Sequence, residues 1–155
     1  MIEKANIDDP EAIAALVNRF AEQQLMLPRP LHEIYDQLRD FYVYREDGDV
    51  LGCVALHISW KGLAEIRSLA VAEEARGQGV ATRLIEACLD EARELGVPRV
   101  FTLTNIPDFF QRFGFSHYPK EELPHKIWSE CIKCPKFPNC DEEALILDLQ
   151  SDSSD

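Results

Sequence analysis

The stretch "EIRSLAVAEEARGQGVATRLIEA", Glu65 to Ala87, decides how the rest of the chain is read. Its first third is strand-like. An acidic link follows, then Gly77 and Gly79 beside Arg76, and then Val80, Leu84, Ile85 and Cys88 at helical spacing. Glycine lets a backbone turn tightly and approach a ligand without Cβ interference. The loop also delivers the chain into a helix N-terminus, where unpaired N–H groups and the helix dipole favour an anion. Arg76 adds a charge-assisted donor. The dipole contributes roughly 0.3–1 kcal/mol per exposed charge, so several N–H groups would have to act together. No Gly-Lys-Ser/Thr follows, which excludes a Walker loop, and G-x-G-x-x-G is absent. Two readings stay open on the loop alone: a phosphate cradle, or an ordinary strand-to-helix turn with a surface arginine.

Upstream, "IEKANI" predicts a short strand, and "DDPEAI" an aspartate cap with Pro10 in the first turn of a helix. Ile13, Leu16, Val17 and Phe20 form its apolar stripe. "LPRP" breaks the chain, since proline restricts itself and the residue before it. A second amphipathic helix follows with Leu31, Ile34, Tyr35 and Leu38 on the buried side. The period then changes: "FYVYRED" and "VLGCVALHIS" predict two strands joined across Gly48, and "LAEIRSLAV" a third. Downstream, Val80, Leu84, Ile85, Cys88, Leu89, Ala92 and Leu95 mark a long helix that Gly96 and Pro98 end. "RVFTLTN" reads as a strand, "PDFFQRF" as a short helix, "FGFSHY" as a turn into a strand, and "EALILDL" as the last strand. The expected organisation is a single α/β (α+β) domain over 1–150, with a mostly antiparallel sheet, and an acidic tail over 151–155 too poor in apolar residues to fold.

The chain has 155 residues, 46% hydrophobic and 28% charged, enough for one domain with a real core. It lacks the run of about 20 apolar residues that a membrane helix needs. Its start is acidic, unlike a signal peptide, so the cytoplasm is the expected location. A formal charge of −12 argues against nucleic acid or an anionic membrane as partner. Of five cysteines, Cys53 and Cys88 fall in apolar patterns and read as small buried side chains. Cys131, Cys134 and Cys140 cluster in "CIKCPKFPNC". With His125 they offer four zinc-type ligands, but C-x2-C-x5-C is not a full finger spacing, so free thiols or a redox-sensitive pair are favoured and no metal is expected.

"SLAV", the acidic link, R-G-Q-G-V-A and the amphipathic helix together resemble motif A of the GCN5-related N-acetyltransferases (GNAT). "FFQRFGF" resembles that superfamily's second landmark, an aromatic helix closed by Gly-Phe. The order of elements matches over nearly the whole chain. The resemblance implies the GNAT fold, with two adjacent parallel strands splaying apart after a bulge, and acetyl-CoA as cosubstrate. It places the pyrophosphate on the N–H groups of Gln78, Gly79, Val80 and Ala81, with Arg76, Gly77 and Thr82 around it. Pantetheine would pair with the backbone of Leu69 and Val71, flanking Ala70, and Asn105 and Phe110 would complete the cofactor side. A homodimer is the default assembly it implies.

"LMLPRPLHEIYDQLRDF", "EIRSLAV" and "ELPHKIWSECIKCPKFPNCDE" are similar to the short N-acetylglutamate synthases of arginine biosynthesis, which lack an amino-acid-kinase domain and the arginine feedback site associated with it. That resemblance implies L-glutamate as the small-molecule acceptor. Two carboxylates demand basic partners, ideally arginine forks. Arg29 lies between two prolines, where the resembled synthases bind the α-carboxylate. Arg67 either binds substrate or pairs with Glu65, because an unpaired buried cation is costly. Lys133 and Lys136 are candidates for the side-chain carboxylate. Glu65 is the expected base, an effect usually worth about 10²–10⁴ in rate. The superfamily's usual acid tyrosine is replaced by Phe110, so Thr104 is the candidate to relay a proton or hydrogen-bond. A thiolate leaving group needs little help, since free thiols have pKa near 8.5. Other acceptors, a polyamine or a protein N-terminus, stay open, as does a non-catalytic acyl-CoA-binding module. The acidic charge is the best argument for a polyamine.

Overall fold

The computed structural model describes residues 1–22, 29–119, 122 and 143–149, with side chains omitted for 20–22. Lys133, Lys136, His125 and the cluster of Cys131, Cys134 and Cys140 lie outside these residues, as does the tail over 151–155. Strands β1 (Ile2–Lys4), β2 (Phe41–Glu46), β3 (Asp49–Trp60), β4 (Leu63–Val71), β5 (Arg99–Thr104), β6 (Ser116–His117) and β7 (Glu143–Asp148) form a seven-stranded sheet in the order β1-β2-β3-β4-β5-β7-β6. The helices are α1 (Pro10–Glu22), α2 (Leu31–Asp36), α3 (Val80–Leu95) and α4 (Pro107–Gln111). The sheet is mixed: β4 runs parallel to β5 over Leu63–Glu65 and Arg99–Phe101, while β1·β2, β2·β3, β5·β7 and β6·β7 are antiparallel.

The chain divides into two compact units. The first holds Met1–Leu56 and Ile66–Glu91. Its core gathers Ile13, Leu16 and Val17 of α1 with Ile34, Leu38, Phe41, Val43, Cys53, Ala55, Ala70 and Ala72. The β2–β3 hairpin turns on Asp47 and Gly48, both at positive φ (52° and 85°), the arrangement an Asp-Gly pair takes in a two-residue hairpin turn. At the start of α1 the aspartate behaves differently from a simple cap. Its carbonyl accepts from Ile13 N–H at 3.0 Å, while Oδ2 accepts from Asn6 N–H and from Arg45 Nη2, both at 2.8 Å.

The expected second helix is the element that departs most from its sequence reading. It stops at Asp36, Gln37 adopts φ −110°, and a 3-10 turn over Leu38–Asp40 leads into β2. A six-residue helix cannot carry a stripe across two turns. Ile34 and Leu38 are buried, but Leu31 and Tyr35 are 40% and 41% exposed, and Tyr35 Oη donates to Glu11 Oε1 at 3.3 Å.

The second unit holds His57–Glu65 and the residues from Ala92 onward. There α3 ends as expected: Gly96, at φ 78°, donates to the Arg93 carbonyl, and Val97 N–H to the Ala92 carbonyl at 2.9 Å. Leu95, read as the last residue of the apolar stripe, is instead 60% exposed, because it sits where the helix gives way to this reversal. Leu63, Phe101 and Ala144 form a small core with Leu103, Tyr118 and Ile146 against it. Phe110 packs edge-on against Phe109 and Phe115, at 5.2 and 5.5 Å between ring centroids.

Candidate active site

In the first unit, β4 carries the chain toward the glycine loop. Ser68 interrupts its extended run with φ 59°, a left-handed residue within a strand, as at a β-bulge. Cys53 Sγ donates to the Ser68 carbonyl at 3.5 Å. Burial pushes the Cys53 thiol up to about 12, with a lesser opposing effect from a backbone hydrogen bond, so it stays an uncharged packing group. Burial likewise pushes the Cys88 thiol up, so both cysteines are small buried side chains as expected.

Beyond Ser68, Leu69 and Val71 are half-buried while Ala70 enters the core. Ala72 N–H donates to the Leu51 carbonyl at 2.8 Å, tying the end of β4 to β3. A 3-10 turn over Glu73–Ala75 then leads to Arg76, whose Nε donates to the Val71 carbonyl at 3.4 Å. Gln78 Nε2 donates to the Glu74 carbonyl at 3.4 Å. Gly77 and Gly79 stand at φ 80° and 75°, and a Cβ at either would meet no atom within 4 Å. Helix α3 starts at Val80, and Arg83 N–H donates to the Gly79 carbonyl at 3.1 Å. The N–H groups of Val80, Ala81 and Thr82 precede that bond, in the turn where a helix has no carbonyl to offer its own donors.

Exposed glycines, open space where side chains would stand, and a first helical turn of unclaimed geometry fit a diphosphate. Gly77 and Gly79 both stand in the left-handed region and flank Gln78. Val80 is buried and faces Gly52, where a Cβ would come within 3.2 Å of Val80 Cγ1 and 3.3 Å of Leu84 Cδ1. Gly52 therefore lets α3 sit down on β3. Arg83, one turn into α3, lies over the Tyr44 ring at 5.3 Å, a contact that no local pattern announces.

The first unit also brings two arginines under cover. Arg29 is 8% exposed and Arg67 is 9% exposed. The Arg29 backbone is held on both sides by one side chain: its N–H donates to Asn18 Oδ1, and its carbonyl accepts from Asn18 Nδ2, each at 3.0 Å. Arg29 Nη1 lies 3.8 Å from Glu33 Oε2, a loose pair one turn into α2. Arg67 Nη2 donates to Gln37 Oε1 at 2.7 Å. Asn18 and Gln37 were not singled out by sequence, because each acts on a residue 11 or 30 positions away and carries no motif.

In the second unit, Glu65 ends the parallel pairing opposite Phe101 and is 6% exposed. Glu65 and Arg67 are two apart on one strand, so their side chains start from the same face. Arg29, Glu65 and Arg67 each have interactions beyond those named. Thr104, buried at the end of β5, accepts from Ile106 N–H at 2.9 Å through Oγ1, which leaves its hydroxyl proton to donate elsewhere. Asn105 is exposed, and the Phe110 ring is occupied by its aromatic neighbours. Among the described residues no cluster of three metal-type ligands occurs, and no helix is long and apolar enough to cross a membrane.

Comparison with known proteins identifies the family. The pattern of the Acetyltransferase (GNAT) family matches residues 9–115. An uncharacterized N-acetyltransferase of Chlorobaculum tepidum is 40% identical over 148 residues, 96% of each chain. An amino-acid acetyltransferase of Mycobacterium tuberculosis is 32% identical over 136 residues, 86% of this chain and 78% of that protein. Among solved structures, N-acetylglutamate synthase of Neisseria gonorrhoeae complexed with coenzyme A and N-acetyl-glutamate is similar with TM-score 0.86 and 28% identity, over 96% of this chain. This chain spans only 35% of that larger protein.

Proposed function

We propose that this chain, which belongs to the GNAT acetyltransferase family and is an acetyl-CoA-dependent N-acetyltransferase, takes the amino group of L-glutamate as its acceptor. The observation that carries this reading is the pair of buried arginines, Arg29 and Arg67, in a chain of net charge −12. Buried guanidinium forks are costly and suit carboxylates, and a dicarboxylic amino acid brings two of them. Amino-acid acetyltransferase relatives and the glutamate-type structural neighbour support the same class. The product, N-acetylglutamate, would serve arginine biosynthesis in the cytoplasm.

Acetyl-CoA supplies an acyl group on a thiol leaving group. The backbone N–H groups from Gln78 to Ala81 are the proposed seat of its pyrophosphate, with Arg76, Gly77 and Thr82 beside them. Leu69, Ala70 and Val71 flank its pantetheine. Asn105 and Phe110 complete that side.

The acceptor's ammonium must lose a proton before nitrogen can attack. Glu65 takes that proton, directly or through water, and the free amine forms the new C–N bond as the C–S bond breaks, its second proton ending on the departing sulfur to give the CoA thiol. The sulfur leaves with the bond's electron pair. Thr104 can donate its hydroxyl proton in a hydrogen bond to that sulfur, whose modest basicity demands no stronger acid. Arg29 takes the α-carboxylate and Arg67 the side-chain carboxylate, with Lys133 and Lys136 as further candidates for the latter.

The test is CoA thiol release with L-glutamate against D-glutamate, L-glutamine, L-aspartate, spermidine and a short peptide. Glutamate should lead, and Arg29→Ala should lower kcat/KM for glutamate at least about 100-fold, as when a charge-assisted fork is lost. Glu65→Gln should lower kcat by about 10²–10⁴. Turnover confined to spermidine, which the acidic charge would attract, or to the peptide would overturn the glutamate assignment while leaving the acetyltransferase.

A further inference from the structure

A single sulfur holds the stretch of β4 that carries Leu69. Cys53, wholly buried on β3, donates its S–H to the Ser68 carbonyl at 3.5 Å. A main-chain hydrogen bond at Ala70 reaches the same thiol. That bond favours the thiolate while burial disfavours it, so the Ala70 N–H is its donor. Two residues further along, Ala72 N–H donates to the Leu51 carbonyl at 2.8 Å. Three groups of the β4 main chain thus turn toward β3, two of them to meet one thiol.

Peptide planarity converts these bonds into an orientation for Leu69. In a trans peptide the carbonyl and the next N–H point in opposite directions. The Ser68 carbonyl faces Cys53, so Leu69 N–H faces away from β3. Ala70 N–H faces Cys53, so the Leu69 carbonyl faces away as well. The Ala72 bond does the same for the Val71 carbonyl, which accepts from Arg76 Nε at 3.4 Å. Ser68 stands at φ 59°, a conformation that a residue with a side chain keeps only where its surroundings hold it. The bond from Cys53 to its carbonyl is one such hold. A thiol suits the place because it donates and accepts weakly at once, yet shares an apolar core with Phe41, Val43 and Ala55.

We propose that Cys53 is a positioning residue for acetyl-CoA: by holding Ser68 and Ala70 it aims both main-chain polar groups of Leu69 at a pantetheine amide, which offers one donor and one acceptor in return. This rests on the reading above that Leu69, Ala70 and Val71 flank pantetheine. It adds what fixes them, a side chain on the neighbouring strand and 15 positions from Ser68.

The experiment measures residue-resolved amide exchange by NMR, with and without CoA, and the Kd for CoA by calorimetry. It uses the full chain as wild type, Cys53→Val, Cys53→Ala, Cys53→Ser and Cys88→Val, each with a urea midpoint. Cys88 is the packing control, a thiol equally buried but on α3. In wild type, CoA should slow exchange of the Leu69 amide about tenfold or more. Cys53→Val and Cys53→Ala remove both donor and acceptor, and Cys53→Ala does so without overpacking the core. In both, the Ala70 amide of the free protein should exchange faster than in wild type. Their Kd for CoA should rise about tenfold, the effect of losing two weak hydrogen bonds. Cys53→Ser keeps a donor and an acceptor and should bring Kd back to within about threefold of wild type. Cys88→Val should move Kd less than about twofold, whatever its urea midpoint. A Kd within about twofold of wild type in Cys53→Val and Cys53→Ala overturns this inference alone. So does a Cys53→Ser no better than Cys53→Ala, or an equal rise in Cys88→Val at an equal loss of urea midpoint. CoA that binds wild type without protecting Leu69 overturns the pantetheine reading and this inference with it.

Discussion

The glycine loop and the two buried arginines, the proposed donors to the cosubstrate and the acceptor, are built by opposite means. Over Arg76–Ala81 the proposed donors are main-chain N–H groups, Arg76 to Gly79 are exposed, and the left-handed glycines lie within one short segment. At Arg29 and Arg67 the donors are side chains, both are buried, and their placement depends on Asn18 and Gln37 at sequence separations of 11 and 30. A backbone cradle needs only small residues in the right conformation. A side-chain site needs the whole unit folded around it.

The sharpest way to break this contrast compares two glycines. Gly79 and Gly48 have nearly the same left-handed φ, 75° and 85°, and at each an added Cβ would meet nothing within 4 Å. Alanine should therefore cost each a similar amount of stability, about 1–2 kcal/mol, because the penalty is conformational. Only Gly79 stands in the proposed phosphate seat. Gly79→Ala should raise KM for acetyl-CoA about tenfold or more, and Gly48→Ala less than twofold. Equal KM values with equal losses in melting temperature would reduce the glycine loop to an ordinary turn.

A smaller effect is expected at Gly52, which packs against the first turns of α3. A methyl group there would press on Val80 Cγ1 at 3.2 Å, Leu84 Cδ1 at 3.3 Å and Tyr44 Cβ at 3.4 Å. Val80 and Leu84 are buried and cannot swing into solvent. Gly52→Ala should destabilise by about 1 kcal/mol, the low end for overpacking, after the gain of removing a flexible glycine from a strand. Because Val80 opens α3, KM for acetyl-CoA should rise by about two- to fivefold as well. A lower melting temperature with KM unmoved would show that the first turn of α3 holds its place independently of β3.

These contrasts explain what the sequence disclosed. The glycine loop, the Asp-Gly hairpin and the reversal at Gly96 are legible because each is a local conformational demand met by residues a few positions apart. Strands and helices were found where apolar residues keep a period. The second helix was misjudged because a four-residue apolar pattern, Leu31, Ile34, Tyr35 and Leu38, spans a helix, a cap and a 3-10 turn, and periodicity does not register the break at Gln37. Arg29 and Arg67 stood out as charges in apolar or proline-bound settings. Their amide partners did not, since nothing within α1 marks Asn18 and nothing within α2 marks Gln37. The same holds for Arg83 over Tyr44, a pair joined only by the packing of α3 on the first unit's strands.

Arg45 supplies the remaining comparison, an arginine bonded to Asp9 and Glu3. Asp9 is buried, and its Oδ2 takes bonds from Arg45 Nη2 and Asn6 N–H at 2.8 Å each. Desolvation alone would raise the Asp9 pKa, but the hydrogen bond from Arg45, the bond from Asn6 N–H and the attraction of the guanidinium together outweigh it and hold the carboxyl below its ordinary 3.8. A carboxyl lowered in the folded state stabilises the fold fully above its unfolded pKa, about 3.9, and loses that contribution as pH falls through the folded value. Asp9→Asn should therefore cost about 1–3 kcal/mol at neutral pH, the range for a charged hydrogen bond partly lost. Its urea midpoint should approach that of wild type as pH falls below about 4. Kinetics should separate this ion pair from Arg29 and Arg67, because its loss should move KM for glutamate less than twofold at pH 7. A midpoint difference that stays constant from neutral to pH 3 would mean that Asp9 acts by packing, not by charge. A large rise in acceptor KM would mean that Arg45 shares the work assigned to Arg29 and Arg67.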